Sequence, residues 1–217
     1  MLSQSEKTEK RVLFVFVVGY FVGGYLLINW INQFRAHYFD VSFSFEWSIP
    51  FVPIFILGYA LVYGTMILLY FVLDDMQDFR RTVVACVLTT TVHYILFLLI
   101  PVRCDLRPDL SMATGFGIGL TKFYYIIDKP YNLFPSLHVA YPMLATILSW
   151  RHHRIMRIVF AIMTLIIAAS VILVKQHYVM DVVVGAIGAA VFYKLVTATE
   201  KKWSRWIVPK GAKPLSA

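Results

Sequence analysis

Charge is what this sequence has least of. Only 15% of its 217 residues are Asp, Glu, Lys or Arg, where soluble domains carry about 25%. With 59% of residues hydrophobic, the chain has too little polar surface to cover a water-soluble core, which excludes a soluble domain. Two cysteines exclude a disulfide framework. Cys86 lies inside an apolar run and Cys104 beyond its far end, about 27 Å of helix apart and out of bridging reach. Linkers, low-complexity tracts and internal repeats are also missing, so residues 1–217 read as one domain. The apolar runs do not alternate with polar residues, which excludes the strands of a membrane barrel.

What is present is six apolar runs, each near the roughly 20 residues that a spanning helix needs. They cover Val12–Ile31, Ile49–Leu73, Thr82–Pro101, Phe134–Trp150, Ile155–Val174 and Val179–Val196. The expected fold is all-α, a polytopic membrane protein with six transmembrane helices in one bundle. Lys7, Lys10 and Arg11 precede the first run. That run has the length of a full span and no small-x-small cleavage site after it, so it reads as an anchor and not as a cleaved signal peptide.

Basic residues orient the bundle. Fourteen of the 20 fall on one side: near the N-terminus, at Arg80–Arg81, at Arg151, Arg154 and Arg157, and from Lys194 onward. The other six are Arg35, Arg103, Arg107, Lys122, Lys129 and Lys175. Both termini are therefore expected in the cytoplasm. The net charge of +8 is this bias plus a basic tail over residues 200–217, expected on anionic headgroups with Trp203 and Trp206 at the interface. Nothing in the pattern calls for nucleic acid, and nothing specifies an oligomeric state.

Ionisable residues at membrane depth are functional candidates, since each costs about 2.5–3.5 kcal/mol or more at the bilayer centre. Here they cluster. The third run ends in "IPVRCDLRPDL", the fourth opens with "FPSLHVA", and "VKQHYVMD" joins the fifth to the sixth. Alternating topology puts these three segments on one membrane face, the outer one by the charge count. His177 and Asp181 are four apart, one helical turn if the sixth helix begins near Gln176. A carboxylate there fixes the imidazole tautomer and aims the other nitrogen outward, which prepares a nucleophile or base. With Pro135 in the first turn of the fourth helix, the free amides of Ser136 and Leu137 form an anion site, and His138 stands beside it. Arg103, Arg107 and Lys175 supply donors suited to phosphate oxygens.

These residues describe a phosphate site flanked by two histidines. In the chemistry they suit, His177 attacks phosphorus, Asp181 stabilises its imidazolium, and His138 protonates the leaving alkoxide. The rival reading is zinc held by His138, His177 and Asp181, but zinc sites do not collect cations, so neither a metal nor a cofactor is expected. His37 and His93 read as packed or solvated residues, and His152–His153 as part of a cytoplasmic basic loop. Lys122 and Lys129 read as interfacial anchors, and "GYFVG" at 19–23 as helix packing.

The motifs resemble those of the type 2 phosphatidic acid phosphatase superfamily of lipid phosphatases and phosphotransferases. Its pattern is Lys-x6-Arg-Pro, then Pro-Ser-Gly-His, then Ser-Arg-x5-His-x3-Asp. Arg107-Pro108, Pro135-Ser136-Leu137-His138, and Ser170 with His177 and Asp181 match it between about residues 100 and 190. Ile100 stands where the first motif has Lys, with Arg103 as a substitute; Val171 stands where the third has Arg, with Lys175 as a substitute. "FPSLHVA" with "KQHY" looks like the branch of inositol phosphorylceramide and sphingomyelin synthases.

The resemblance implies an enzyme without cofactors, acting on a phospholipid or isoprenyl phosphate through a phosphohistidine. A lipid phosphatase is the leading expectation. A phosphotransferase moving a headgroup to a lipid alcohol is the alternative, and a non-enzymatic headgroup-binding protein the third. The compact chain points to a bacterial plasma (inner) membrane, with the site on the outer, periplasmic side.

Overall fold

The computed structural model describes residues 2–150 and 154–207. Among these residues eight α-helices follow one another: α1 (Gln4–Asn32), α2 (Ile56–Val72), α3 (Met76–Leu99), α4 (Phe116–Ile127), α5 (Leu137–Leu148), α6 (Arg154–Leu173), α7 (Val179–Ala198) and α8 (Glu200–Ile207). Two 3-10 turns, Ser44–Ser48 and Pro53–Phe55, lie between α1 and α2. No strand forms among the described residues. Extended segments touch only in isolated bridges of Val102 with Phe39 and with Asn132.

Five segments are long and apolar enough to cross a membrane: Gln4–Asn32, Pro53–Val72, Met76–Leu99, Arg154–Leu173 and Val179–Ala198. They correspond to five of the six expected spans. The fourth run differs. Its helix, α5, has 12 residues, about 18 Å of rise, short of the roughly 30 Å of a hydrocarbon core. It sits inside the bundle. Ten of its residues are buried, against α2, α3, α6 and α7. An apolar run marks burial in protein as readily as burial in lipid, and here it marks the former.

The surface is that of a membrane protein. Phe16, Leu27, Phe71, Leu165 and Ile187 are each more than half exposed, while Thr89, Thr90, His93, Ser136 and Ser170 are buried. His93 is a packed residue, as its context suggested, with Nδ1 2.7 Å from the Thr89 carbonyl. In "GYFVG" a Cβ on Gly19 or Gly23 would meet nothing; the next glycine, Gly24, is the one pressed against Tyr94.

Local signals set the helix ends. Ser3 and Glu6 form a reciprocal capping box at the start of α1, and Asp75 accepts the Gln77 and Asp78 amides at the start of α3, each satisfying donors that the helix itself leaves free. Helix α4 was not expected. At 12 residues it is too short to register as a span, and Gly115, with φ +123°, supplies the backbone turn that precedes it. Helix α8 opens the basic tail, where the Trp203 indole donates to the Val196 carbonyl at 2.8 Å. Arg151, His152, His153, the Trp206 side chain and the tail after residue 207 lie outside the described residues.

Candidate active site

The end of α3, the start of α5 and the α6–α7 junction meet at one end of the bundle, as alternating topology requires. Cys104 donates to the Lys175 carbonyl at 3.3 Å, and Arg107 bonds the Gln176 side chain. The Ser136 amide donates to the Asp181 carbonyl at 3.0 Å. The two histidines face each other across this junction, with His177 Nε2 3.3 Å from His138 Nδ1. Both rings are almost wholly buried.

The His177–Asp181 contact is present at 3.2 Å, from Nδ1 to Oδ2, but by a different route from a shared helix face. Helix α7 begins only at Val179, and Tyr178 is its cap. Asp181 sits at the third helical position and its Oδ2 also accepts the Tyr178 amide at 2.9 Å. The carboxylate that caps the helix thus holds the imidazole just outside it. Asp181 is fully buried, and its second oxygen, Oδ1, has no partner.

The start of α5 also departs from expectation. Pro135 precedes the helix in a cis peptide instead of occupying its first turn, and Ser136 is the cap. The Ser136 amide is not a free anion donor, because it is spent on Asp181. Its hydroxyl, fully buried, has no partner. Close packing explains the placement: the Ser136 backbone lies against Gly185 of α7, where a Cβ would come within 2.5 Å of the Ser136 carbonyl oxygen.

The three basic residues fall in three different settings. Arg107 stacks on Tyr125 at 4.2 Å and donates to the Asp128 carbonyl at 2.7 Å and to Gln176 Oε1; its Nε is buried without a partner. It is therefore brought beside His177 through the neighbouring Gln176. Arg103 is not drawn in. It pairs with Asp105 at 2.7 Å with its side chain 45% exposed, in the wall of a polar surface cavity of about 410 Å³ that also includes Arg35, Tyr38 and Tyr178.

Lys175 has a left-handed backbone (φ +54°), and its ammonium donates to the carbonyls of Glu46 at 3.1 Å and Ile49 at 2.7 Å. Burial lowers its pKa. In this arrangement it ties down the loop before α2 and does not face the imidazoles. Cys104 is equally unsuited to chemistry, since burial pushes its thiol up to about 12.

Several residues at the site were missed in the sequence. Asp128, at the end of α4, lies 3.7 Å from His138 Nε2. Tyr59 on α2 bridges the two, 2.8 Å from that nitrogen. Glu46, almost wholly buried, accepts the Val179 amide at the start of α7. Asp128 carries the same signal that singled out Asp181, an acid at the edge of an apolar run, but no helix was expected before it. Tyr59 has no sequence signal among so many aromatics. No group of three or more His, Cys, Asp or Glu side chains among the described residues is arranged to hold a metal ion.

The PAP2 superfamily matches residues 35–195, a stretch that contains all of these groups. The chain belongs to the PAP2 superfamily. A curated relative, an uncharacterized protein of Methanocaldococcus jannaschii, is 25% identical over 100 residues, which are 43% of this chain and 41% of that protein. The match thus spans about two fifths of the relative's length. No solved structure matches. Membership of the PAP2 superfamily in a multi-pass membrane chain supports phosphatase or phosphotransferase chemistry of a lipid-processing kind.

Proposed function

We propose that this protein is a membrane lipid phosphatase that cleaves a phosphomonoester or diphosphate lipid through a phosphohistidine at His177. The observation that carries the reading is the imidazole of His177, held by Asp181 on one nitrogen and facing His138 with the other. Nε2 attacks phosphorus while Asp181 stabilises the charge that develops on the ring. His138 protonates the leaving oxygen, a role worth roughly 10²–10⁴ in rate. Water then takes the phosphoryl group from His177.

The buried donors around the pair suit phosphate oxygens. The Ser136 hydroxyl, Arg107 Nε and Gln176 Nε2 are without partners, and donors set in a low-dielectric site stabilise transition-state charge strongly. Arg103, exposed near the surface cavity, is suited to a phosphate on its approach, and Lys175 to holding the loop before α2. The charge bias puts this end of the bundle on the outer face of the plasma membrane and both termini in the cytoplasm.

Phosphate release from detergent-purified protein tests the reading, with phosphatidate, phosphatidylglycerol phosphate, an isoprenyl diphosphate and a sphingolipid phosphate as substrates. Release that persists in EDTA and disappears in His177→Ala is the expected outcome. Release abolished by EDTA would replace it with metal chemistry. A second reading, transfer of the phosphoryl headgroup to a lipid alcohol, is favoured by one observation: the polar cavity reaches Tyr178, the residue after His177. A new phospholipid formed on adding diacylglycerol or ceramide identifies it. Headgroup binding that survives His177→Ala, without turnover in the native protein, would leave the non-enzymatic reading.

A further inference from the structure

The far nitrogen of His138 meets groups that the chemistry above does not use. Nε2 contacts the Tyr59 hydroxyl at 2.8 Å, and that hydroxyl donates to Asp128 Oδ2. Tyr25 donates to the other carboxylate oxygen, Oδ1. Helices α1, α2 and the end of α4 converge to make this cluster, with Tyr59 fully buried and Asp128 nearly so. A carboxylate at that depth is costly without a cation. Arg107 does not serve, because it bonds the Asp128 main-chain carbonyl. The group that faces the carboxylate is His138, 3.7 Å away.

Counting hydrogens gives the chain a direction. A phenol has one hydrogen to donate, and that of Tyr59 goes to Asp128. His138 Nε2 must therefore supply the hydrogen in its contact with Tyr59. On the other side, Asp181 accepts from His177 Nδ1, which leaves a lone pair on His177 Nε2. The hydrogen in the contact between the two imidazoles then comes from His138 Nδ1. With His177 neutral, as a nucleophile must be, His138 is placed to carry two N–H bonds between two carboxylates.

We propose that Asp128, acting through Tyr59, is the positioning residue of the leaving-group acid: it keeps a hydrogen on His138 Nε2 and so reserves Nδ1 for proton exchange with the substrate. The inference rests on the phosphoryl-transfer reading above. In the first half-reaction His177 Nε2 bonds to phosphorus as the bond to the leaving oxygen breaks. The Nδ1 proton of His138 passes to that oxygen, and the imidazolium becomes the neutral Nε2–H tautomer. In the second half-reaction Nδ1 takes a proton from the attacking water as the phosphorus–nitrogen bond breaks and its electrons return to His177. Tyr59 and Asp128 keep their own hydrogen bond throughout.

Two measurements on the full chain test this. The first compares phosphatidate, whose alkoxide must be protonated, with p-nitrophenyl phosphate, whose leaving group needs no proton. Asp128→Asn is expected to lower kcat/KM, which reports only the steps up to leaving-group departure, about 10²-fold for phosphatidate and to leave that of the aryl ester within about threefold, following the size of general-acid effects. Tyr59→Phe, which keeps the packing, should show the same split if Asp128→Asn fails to fold. Equal loss on both esters would overturn the inference in favour of a structural role.

The second measurement needs no substrate. Nitrogen-15 shifts of His138 should show Nε2 protonated at every pH while Nδ1 titrates, with that preference lost in Tyr59→Phe. A neutral His138 with its hydrogen on Nδ1 would overturn the inference even in an active phosphatase. Wild-type protein that cleaves neither ester would overturn the acid role, while the nitrogen shifts would still decide the tautomer by themselves.

Discussion

The two ends of the bundle treat their buried polar side chains in opposite ways. Where α1 begins, α2 turns into α3 and α7 ends, the charges are matched. Arg80 makes two 2.7 Å hydrogen bonds to Glu9, Arg81 is shared between Asp78 and Glu200, and Lys10 donates to the Leu73 carbonyl at 2.5 Å. At the histidine end Ser136, Arg107, Gln176 and Asp181 each keep a buried polar atom without a partner. An unpaired buried group costs about 1–3 kcal/mol. Depth alone therefore does not mark a functional site. Unspent hydrogen-bonding capacity beside the facing imidazoles does, since unpaired atoms also occur elsewhere, on Thr89, His93 and Ser149.

The sharpest way to break this contrast is to remove groups at the histidine end and watch turnover and stability separate. His177→Ala is expected to abolish phosphate release, a loss of roughly 10⁴-fold or more by analogy with other nucleophile deletions, with little change in Tm. Asp181→Asn follows at about 10²–10⁴-fold, because the tautomer of His177 is no longer dictated. Initial rates and thermal melts on the same samples check both. If either variant unfolds the protein, the histidine end is a scaffold too.

Gly185→Ala probes placement without touching a polar atom. Its Cβ would come within 2.5 Å of the Ser136 carbonyl oxygen, main chain that cannot swing away, so the start of α5 and His138 with it must shift. A displacement near 1 Å at a reacting group costs about 10²-fold, and the loss should fall on kcat. Arg107→Lys is a smaller step. Lysine keeps the charge but loses the stacking on Tyr125 and the forked donors; about tenfold in kcat/KM is expected, or 1.4 kcal/mol.

The smallest effect on catalysis belongs to the opposite end. Arg81→Ala removes the guanidinium that bridges Glu200 and Asp78 and should lower stability by about 1–3 kcal/mol, with turnover within about twofold of the parent. Denaturation in detergent beside the phosphate assay separates the two. A large loss of turnover at unchanged stability would erase the distinction between the ends.

Much of this was legible in one dimension. Five apolar runs became five long helices because their composition leaves them no soluble alternative, and Pro-Ser-x-His with His-x3-Asp picked out residues that the fold brings into contact. Arg103 and Lys175 show the limit of such matching. Each stands near a motif position in the sequence, yet one is committed to Asp105 and the other to two backbone carbonyls. A basic side chain reaches several ångströms, so its neighbours and not its register decide what it meets.

The sequence by itself determined the solvent, the helical class and the pairing of His177 with Asp181, because hydrophobic length and short-range spacing are properties of the chain read locally. Only the tertiary structure decided that α5 is enclosed and not lipid-facing, that Asp181 serves as a helix cap as well as a partner for His177, and that Tyr59 carries Asp128 to the back of His138. Those residues are 69 and 79 positions from Tyr59. Contacts at such separations depend on which helices pack together, and no local pattern in a chain this uniformly apolar encodes that choice.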